Sequence, residues 1–312
     1  MIDRLLNLPL IKQKTEEWFQ ARHGCISASD VASALKQTEA VTWHYIASFR
    51  NVAGFSFTPK PNSSCNPYSR KLDLIKKKCN LGPPFTGNQF TNFGQKYEQV
   101  ASNIYSQITG SKVHEFGLIV HPKYQFIGAS PDGITQEGVM LEIKCPSARD
   151  VHPYPPLHYY LQMMIQMECT GLLSCDYLDC RFIEFTDAEV WESEARRDTD
   201  HFYGIINQGC DGDWEYASLG TKTPDEYLAF SRPGCSYYKL EKFFTTRVEY
   251  DQTWFAGVLP DLRAVWEEIE MYRSNSELQE SLVSKPKGAG KVLYMDTSTV
   301  EVVDKYKALF TY

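Results

Sequence analysis

Two short stretches of this 312-residue chain hold residue types that could hydrolyse a phosphodiester with a metal ion. In Ser130-Pro-Asp-Gly133 a carboxylate stands in a turn, and in Val139-Met-Leu-Glu-Ile-Lys-Cys145 a carboxylate and an ammonium stand two residues apart. Side chains alternate along a strand, so Glu142 and Lys144 point one way while Ile143 points into the core. If the two stretches pair as a hairpin, Asp132 sits at its mouth beside Glu142. Hard oxygen ligands of this kind suit Mg²⁺, with Mn²⁺ as a substitute, since Mg²⁺ takes only one or two carboxylates and keeps its waters. Such an ion polarises phosphoryl oxygens and lowers the pKa of a bound water, and a lysine beside it can stabilise the charge that develops. No thiol or imidazole cluster points to a softer metal. Each fragment alone has a plain reading: Pro-Asp-Gly is usually a simple turn, and Glu-x-Lys on a strand is usually a solvated face.

Elements must bring these residues together. A short helix over 14–23 starts at Thr15, and the Ser27-Ala-Ser29-Asp30 run offers a cap for a second helix through Ala34. Residues 52–91 read as a long irregular insertion. A helix over 93–109 closes at Gly110, strands follow at 113–120, 125–130 and 139–145, and a helix from Pro155-Pro156 runs to about Cys169. A strand over 175–185, a helix near 187–207, a second insertion at 208–248 and a helix starting at Pro260 complete the pattern. The order predicts an α/β fold, a central mixed sheet flanked by helices. Residues 1–275 form the main unit, and 276–312 form a C-terminal extension.

Apolar content of 43% and charged content of 23% are ordinary for a globular protein. No apolar run approaches the ~18–20 residues needed to cross a bilayer, so no membrane partner is expected. The nine cysteines lack CxxC spacing, which favours reduced thiols in an intracellular setting whose compartment stays open. A net charge of −7 excludes a surface coated for nucleic acid but not a local basic channel. Residues 51–80 carry Lys60, Arg70, Lys71, Lys76, Lys77 and Lys78 against Asp73, a net +5, which reads equally as such a channel or as a solvated charged loop.

The motif pair Ser130-Pro-Asp-Gly133 and Leu141-Glu-Ile-Lys-Cys-Pro146 resembles that of phage-lambda exonuclease and the YqaJ-type viral recombinase nucleases, within the PD-(D/E)xK superfamily. Three further pieces fall in the family's order: Glu17-Trp-Phe-Gln-Ala-Arg22-His-Gly24 with Ser27-Ala-Ser29, then Gly94-Gln-Lys-Tyr-Glu98, then Tyr159-Tyr-Leu-Gln162. The resemblance implies a restriction-endonuclease-like fold and a metal-dependent deoxyribonuclease, foremost a 5′→3′ exonuclease on double-stranded ends in recombination, repair or viral DNA processing. It implies DNA as partner, and often a single-strand annealing protein and a ring of identical chains. Asp132 and Glu142 would ligate the metal with the main-chain carbonyl of Ile143, Lys144 would act on the attacking water, and Glu98 would assist at a second metal position. Arg22, Ser29 and Ser130 would contact phosphates, with Arg22 gripping a 5′ phosphate. Gln162 would reach the site from its helix, but the family often has a second glutamine two residues on, where Met164 stands. Gln166 shares a helical face with Gln162 and is the alternative.

Several of these residues have plainer readings. Trp18 reads as core, Ser27 and Ser29 as caps, and Arg22 as a surface ion pair. His121 reads as a packed or solvated residue rather than as a general base. The run Ser236-Tyr-Tyr-Lys-Leu-Glu-Lys-Phe-Phe244 could stack on unpaired bases or pack on the sheet, and packing is expected. A nicking or structure-specific endonuclease on the same fold, and a DNA-binding module without catalysis, are the rival functions. An intact Asp132, Glu142 and Lys144 weighs against the second.

Overall fold

The computed structural model describes residues 2–9, 11–82, 87–209, 213–217 and 223–283. Its centre is a seven-stranded mixed sheet: β1 (Val113–His114), β2 (Gly133–Thr135), β3 (Met140–Lys144), β4 (Ser174–Phe185), β5 (Phe202–Gln208), β6 (Trp214–Tyr216) and β7 (Ser236–Glu249), in the order β1-β2-β3-β4-β7-β5-β6. All neighbours are antiparallel except β3 and β4, which run parallel from Met140 beside Cys175 to Lys144 beside Asp179. A parallel pair needs a crossover. Here it is helix α4 (Leu157–Thr170), stopped by Gly171 in the left-handed region at φ 73.

Helix α3 (Gln89–Thr109) covers the other face. Asn88 caps it by accepting from the Phe90 and Thr91 amides, and Gly110 ends it at φ 71. Two cores result. Leu161, Met163, Met164, Met167 and Tyr177 pack on the α4 side, and Tyr97, Val100, Ile104, Ile143 and Phe182 pack on the α3 side. The sheet flanked by helices is the architecture expected from the sequence.

A second, three-stranded sheet sits beside the first. Ile26–Ser27 runs parallel to Ile127–Ala129, which also pairs antiparallel with Ile119–Val120. The expected three-strand meander is therefore corrected. The 113–120 run splits between the two sheets, and the partner of β3 is Gly133–Thr135, just after Asp132. Helix α1 (Glu16–His23) starts as expected, Thr15 accepting from the Trp18 amide.

Other boundaries also move. Residues 52–91 are not wholly irregular: α2 (Lys71–Lys78) buries Leu74 and Ile75 there. The helix expected to 207 ends at Ala195, and Phe202–Gln208 is a strand because Tyr203, Ile205 and Ile206 bury against β7. Residues 208–248 hold β6, a Thr223-capped helix (Pro224–Phe230) and most of β7. The aromatic run 236–244 lies in β7, where Tyr238 and Leu240 are buried as expected while Phe243 is exposed. Pro260 lies inside rather than at the start of α5 (Gln252–Ser274). Asp251 caps that helix on the Thr253 amide, and the buried Trp254, Phe255 and Val258 hold the turns before the proline. Within the expected C-terminal extension, Ser276–Val283 is helical, and 284–312 lie outside the described residues. No helix among the described residues is long and apolar enough to cross a membrane.

The N-terminal stretch is laid against the molecule at one tight point. A Cβ on Gly117 would stand 1.8 Å from the Ile11 carbonyl oxygen, so only glycine permits this approach. Backbone against backbone cannot yield by rotamer change. Gly117→Ala should lower unfolding free energy by about 1–3 kcal/mol in urea titrations, the range for overpacking. An unchanged midpoint would show that the stretch can move aside freely.

Candidate active site

The ladder between β2 and β3 stops at Gly133 beside Leu141. One step further, Asp132 falls opposite Glu142, and its Oδ2 accepts the Ile143 amide at 2.7 Å. The N–H and C=O of a strand residue point to the same edge. The Ile143 carbonyl therefore faces the edge where Asp132 stands. Alternation turns Glu142 towards α4 while Ile143 packs in the α3 core.

Glu142 has no solvent exposure, yet its carboxylate is well supplied with donors. Oε1 accepts Gln162 Nε2 at 2.7 Å and is paired with Lys144, and Oε2 accepts Gln166 Nε2 at 2.8 Å. Both glutamines thus reach the site, one helical turn apart on α4. Gln166 is fully buried, so its amide faces Glu142 and the Ser130 carbonyl, at 3.4 Å, rather than an open surface. Met164, at the position where the family often carries its second glutamine, is core.

Glu98 comes from α3, on the opposite sheet face. Burial first, then the charge of Asp132, pushes the carboxyls of Glu98 and Glu142 up to about 7. Burial works against the Lys144 ammonium, but Glu142 and Asp132 outweigh it and hold its pKa well above the ordinary lysine value. Lys144 is also over the Tyr159 ring at 4.9 Å.

Among the described residues no three His, Cys, Asp or Glu side chains converge to cage an ion. What the strand edge presents is a pair of carboxylates and a carbonyl. That donor set fits Mg²⁺ completed by water, with Glu98 beside the pair rather than as a third ligand of the same ion.

A second cluster lies alongside. Arg22 donates through Nη2 to Ser27 Oγ and Ser29 Oγ, each at 2.9 Å, and its guanidinium lies 4.3 Å from the Trp18 ring centre. The two serines cap nothing: a 3-10 turn, Ala28–Asp30, leads into Val31–Ala34 with no side-chain cap. Ser27 instead donates to buried Asp30 at 2.6 Å. Asp30 pairs with Lys77 at 2.8 Å and Lys78 at 2.9 Å. Burial alone would raise Asp30, but Lys78, Lys77 and Arg22 hold its carboxyl far below the usual range. Lys78, itself buried, also donates to the Arg22 carbonyl at 2.8 Å.

Trp18 joins the two clusters. Its indole N–H donates to Ser130 Oγ at 2.9 Å, so the residue read as core also ties α1 to the turn before Asp132. His121 is packed, with Nδ1 accepting the Lys123 and Tyr124 amides and Nε2 against Glu168.

The comparisons bear on the family. Residues 61–173 match the YqaJ-like viral recombinase domain. This YqaJ match spans Glu98, Ser130, Asp132, Glu142, Lys144, Gln162 and Gln166, together with Lys77 and Lys78, and it agrees with the family expected from the motifs. Among curated proteins, the uncharacterized protein R354 of Acanthamoeba polyphaga mimivirus is 27% identical over 232 residues, 67% of this chain and 37% of that protein. The chain thus spans well under half the length of that relative. Among solved structures, the alkaline exonuclease LHK-Exo of Laribacter hongkongensis is 23% identical, covering 86% of this chain and 98% of that one, with a TM-score of 0.48. A phage related exonuclease from Haemophilus somnus 129PT is 13% identical over 65% and 81% of the two chains, with a TM-score of 0.42.

Reasoning from sequence missed Asp30, Lys77 and Lys78 as one unit. Asp30 read as part of a cap, and the +5 stretch could not be placed in space. Removing the shared acid leaves Lys78 buried without a carboxylate. Asp30→Ala should cost about 3–5 kcal/mol in urea unfolding, as for other broken buried pairs. A loss below about 1 kcal/mol would mean that the two lysines find water or another acid.

Proposed function

We propose that the chain is a divalent-metal-dependent nuclease that hydrolyses phosphodiesters of DNA, foremost a 5′→3′ exonuclease on duplex ends. Residues 1–275 would be its nuclease unit. The observation that carries this reading is the placement of Asp132 across the strand edge from Glu142, with Lys144 next on the same face. The match to the YqaJ-like domain supports it. In this reading Asp132, Glu142 and the Ile143 carbonyl hold Mg²⁺, and Glu98 assists from α3. The ion supplies Lewis-acid polarisation of the phosphate and a more acidic water.

The chain's own residues do the rest. Gln162 and Gln166 fix both oxygens of Glu142, so the carboxylate cannot swing away when its negative charge is needed. Lys144, kept as an ammonium by two acids, acts as a cation and hydrogen-bond donor towards the attacking water and the developing phosphorane charge. Arg22, with Ser29 exposed beside it, offers donors for a phosphate of the strand end, and Ser130 stands between that cluster and the carboxylates. Action at ends would yield 3′ single strands for recombination, repair or viral DNA processing. A single-strand annealing protein and a ring of identical chains are the partners this role would use.

An end-labelled duplex incubated with Mg²⁺ should release nucleotides from the 5′ end, while a covalently closed circle stays intact. Clean nicking of the circle would replace the exonuclease reading with an endonuclease one. Asp132→Ala should reduce cleavage at least 100-fold while leaving duplex binding within a few-fold of the parent. A variant that cuts as well as the parent would remove Asp132 from the chemistry.

The raised carboxyls predict a proton–metal competition. With folded-state pKa values above those of free glutamate, the metal-free fold is favoured while Glu98 and Glu142 are protonated and loses that contribution as pH rises through about 7. A bound cation replaces the protons and restores it. The Mg²⁺-induced rise in Tm should therefore be small at pH 6 and distinctly larger at pH 8. Equal shifts at both pH values would disconnect the ion from these carboxylates.

A further inference from the structure

A groove of about 320 Å³ opens along the α3 side of Asp132 and Ile143. One wall is a polar stripe of α3, with Gln95, Gln99 and Asn103 at four-residue intervals and Glu98 beside them, opposite the helix's buried face. The other wall is the N-terminal stretch that carries Lys12, Gln13 and Lys14. Lys144 does not line it and stands instead on the α4 face of the sheet, over Tyr159.

Lys14 is held there at a conformational cost. Its φ is +68, a left-handed backbone that residues with a Cβ adopt only when their surroundings impose it. The surroundings are visible. Gln13 Nε2 donates to the Phe116 carbonyl at 2.9 Å and the Pro131 carbonyl at 3.0 Å, Ile11 lies against Gly117, and Thr15 immediately afterwards caps α1. The stretch is stapled on both sides of a single strained residue, and that residue's ammonium has no hydrogen bond or ion pair among the described residues. Three acids face the groove: Glu98, Asp132 and Glu115. A phosphate could approach them only with cations supplied, and glycine would satisfy the backbone better than lysine does.

We propose that Lys14 is a phosphate-binding cation of the active site, holding a phosphate of the cleaved strand in this groove, on the opposite side of the carboxylates from Lys144. The proposal rests on the nuclease reading for the identity of the strand. The amide-rich α3 wall would then run beside the adjoining nucleotide. The positive field of Lys14 already acts on Glu98, counter to the effect of burial.

Lys14→Gly separates strain from charge. The full chain and the variant would be compared by fluorescence anisotropy on single-stranded and duplex oligonucleotides, with Ca²⁺ in place of Mg²⁺, across a salt series. Loss of one phosphate contact should weaken binding several-fold for every sequence. It should also lower the slope of log K against log salt by about 0.7 on single strands or 0.9 on duplex. Lys14→Arg should restore the slope. Because glycine accepts positive φ, Lys14→Gly should raise Tm by about 2–4 °C while binding falls.

An unchanged slope and affinity would overturn the proposal and leave Lys14 as a counter-ion of Glu98 and Asp132. If the parent binds DNA with the Lys14-dependent slope but never cuts it with Mg²⁺, the nuclease reading fails and the phosphate site stands. A parent that binds no oligonucleotide overturns both.

Discussion

A carboxylate without solvent has to be neutralised by what encloses it, and Glu142 imposes that demand on everything near it. Its burial under α4 is what recruits Gln162 and Gln166 from successive turns and Lys144 from the same strand. The crossover helix must therefore lie over β3 in one register only, since a shift of one residue would turn both amides away from the acid. The parallel pairing of β3 with β4 places that helix on the correct face. Packing and chemistry are served by the same constraint, because the side of α4 that does not meet Glu142 is filled by Met163, Met164 and Met167 in the core.

A similar logic operates at Asp30. It too is a buried acid, and it draws Lys77 and Lys78 from α2, which lies in the long stretch between the strands Ile26–Ser27 and Val113–His114, onto the turn that carries Ser27 and Ser29. The three-stranded sheet then sets this turn beside the Ser130–Asp132 loop through the pairing of Ser27 with Gly128. Trp18 spans the remaining gap, one face under Arg22 and its N–H on Ser130. The two clusters are thus braced together by a short β-pair and one indole. In a protein of net charge −7, Arg22, Lys77 and Lys78 are in this way gathered around one acid, with Lys78 buried.

The sequence made some of this legible and hid the rest for physical reasons. Alternation along Met140–Lys144 correctly separated Glu142 and Lys144 from Ile143, since period-two geometry is local. The cap at Thr15 and the stops at Gly110 and Gly171 act within a few residues and were legible, whereas the Asn88 cap, which starts its helix at Gln89 rather than at the expected 93, was not. The hairpin's first strand was misplaced because Ile127–Ala129 and Gly133–Thr135 are both short and apolar, and only long-range pairing decides which meets β3. The helix expected through 207 failed for the same reason: Phe202–Gln208 is a strand because β7 lies beside it. Gln162 and Gln166 could not be ranked from spacing alone, since a shared face says nothing about which acid oxygen each will meet.

The site as it stands holds more unfavourable electrostatics and strain than folding alone requires. Burial, and after it the charge of Asp132, raises the proton affinity of Glu98 and Glu142 on opposite faces of the sheet, and Lys14 keeps a backbone conformation that a glycine would adopt without penalty. Neither feature improves the metal-free fold. In the proposed reading a cation between the acids would relieve the first and a phosphate reaching Lys14 would use the second, so the two ligands would favour one another. A stapled N-terminal stretch on one side and a glutamine-locked carboxylate on the other would then position both partners in advance. On that reading the cost of orienting them would be met during folding rather than at the moment of reaction.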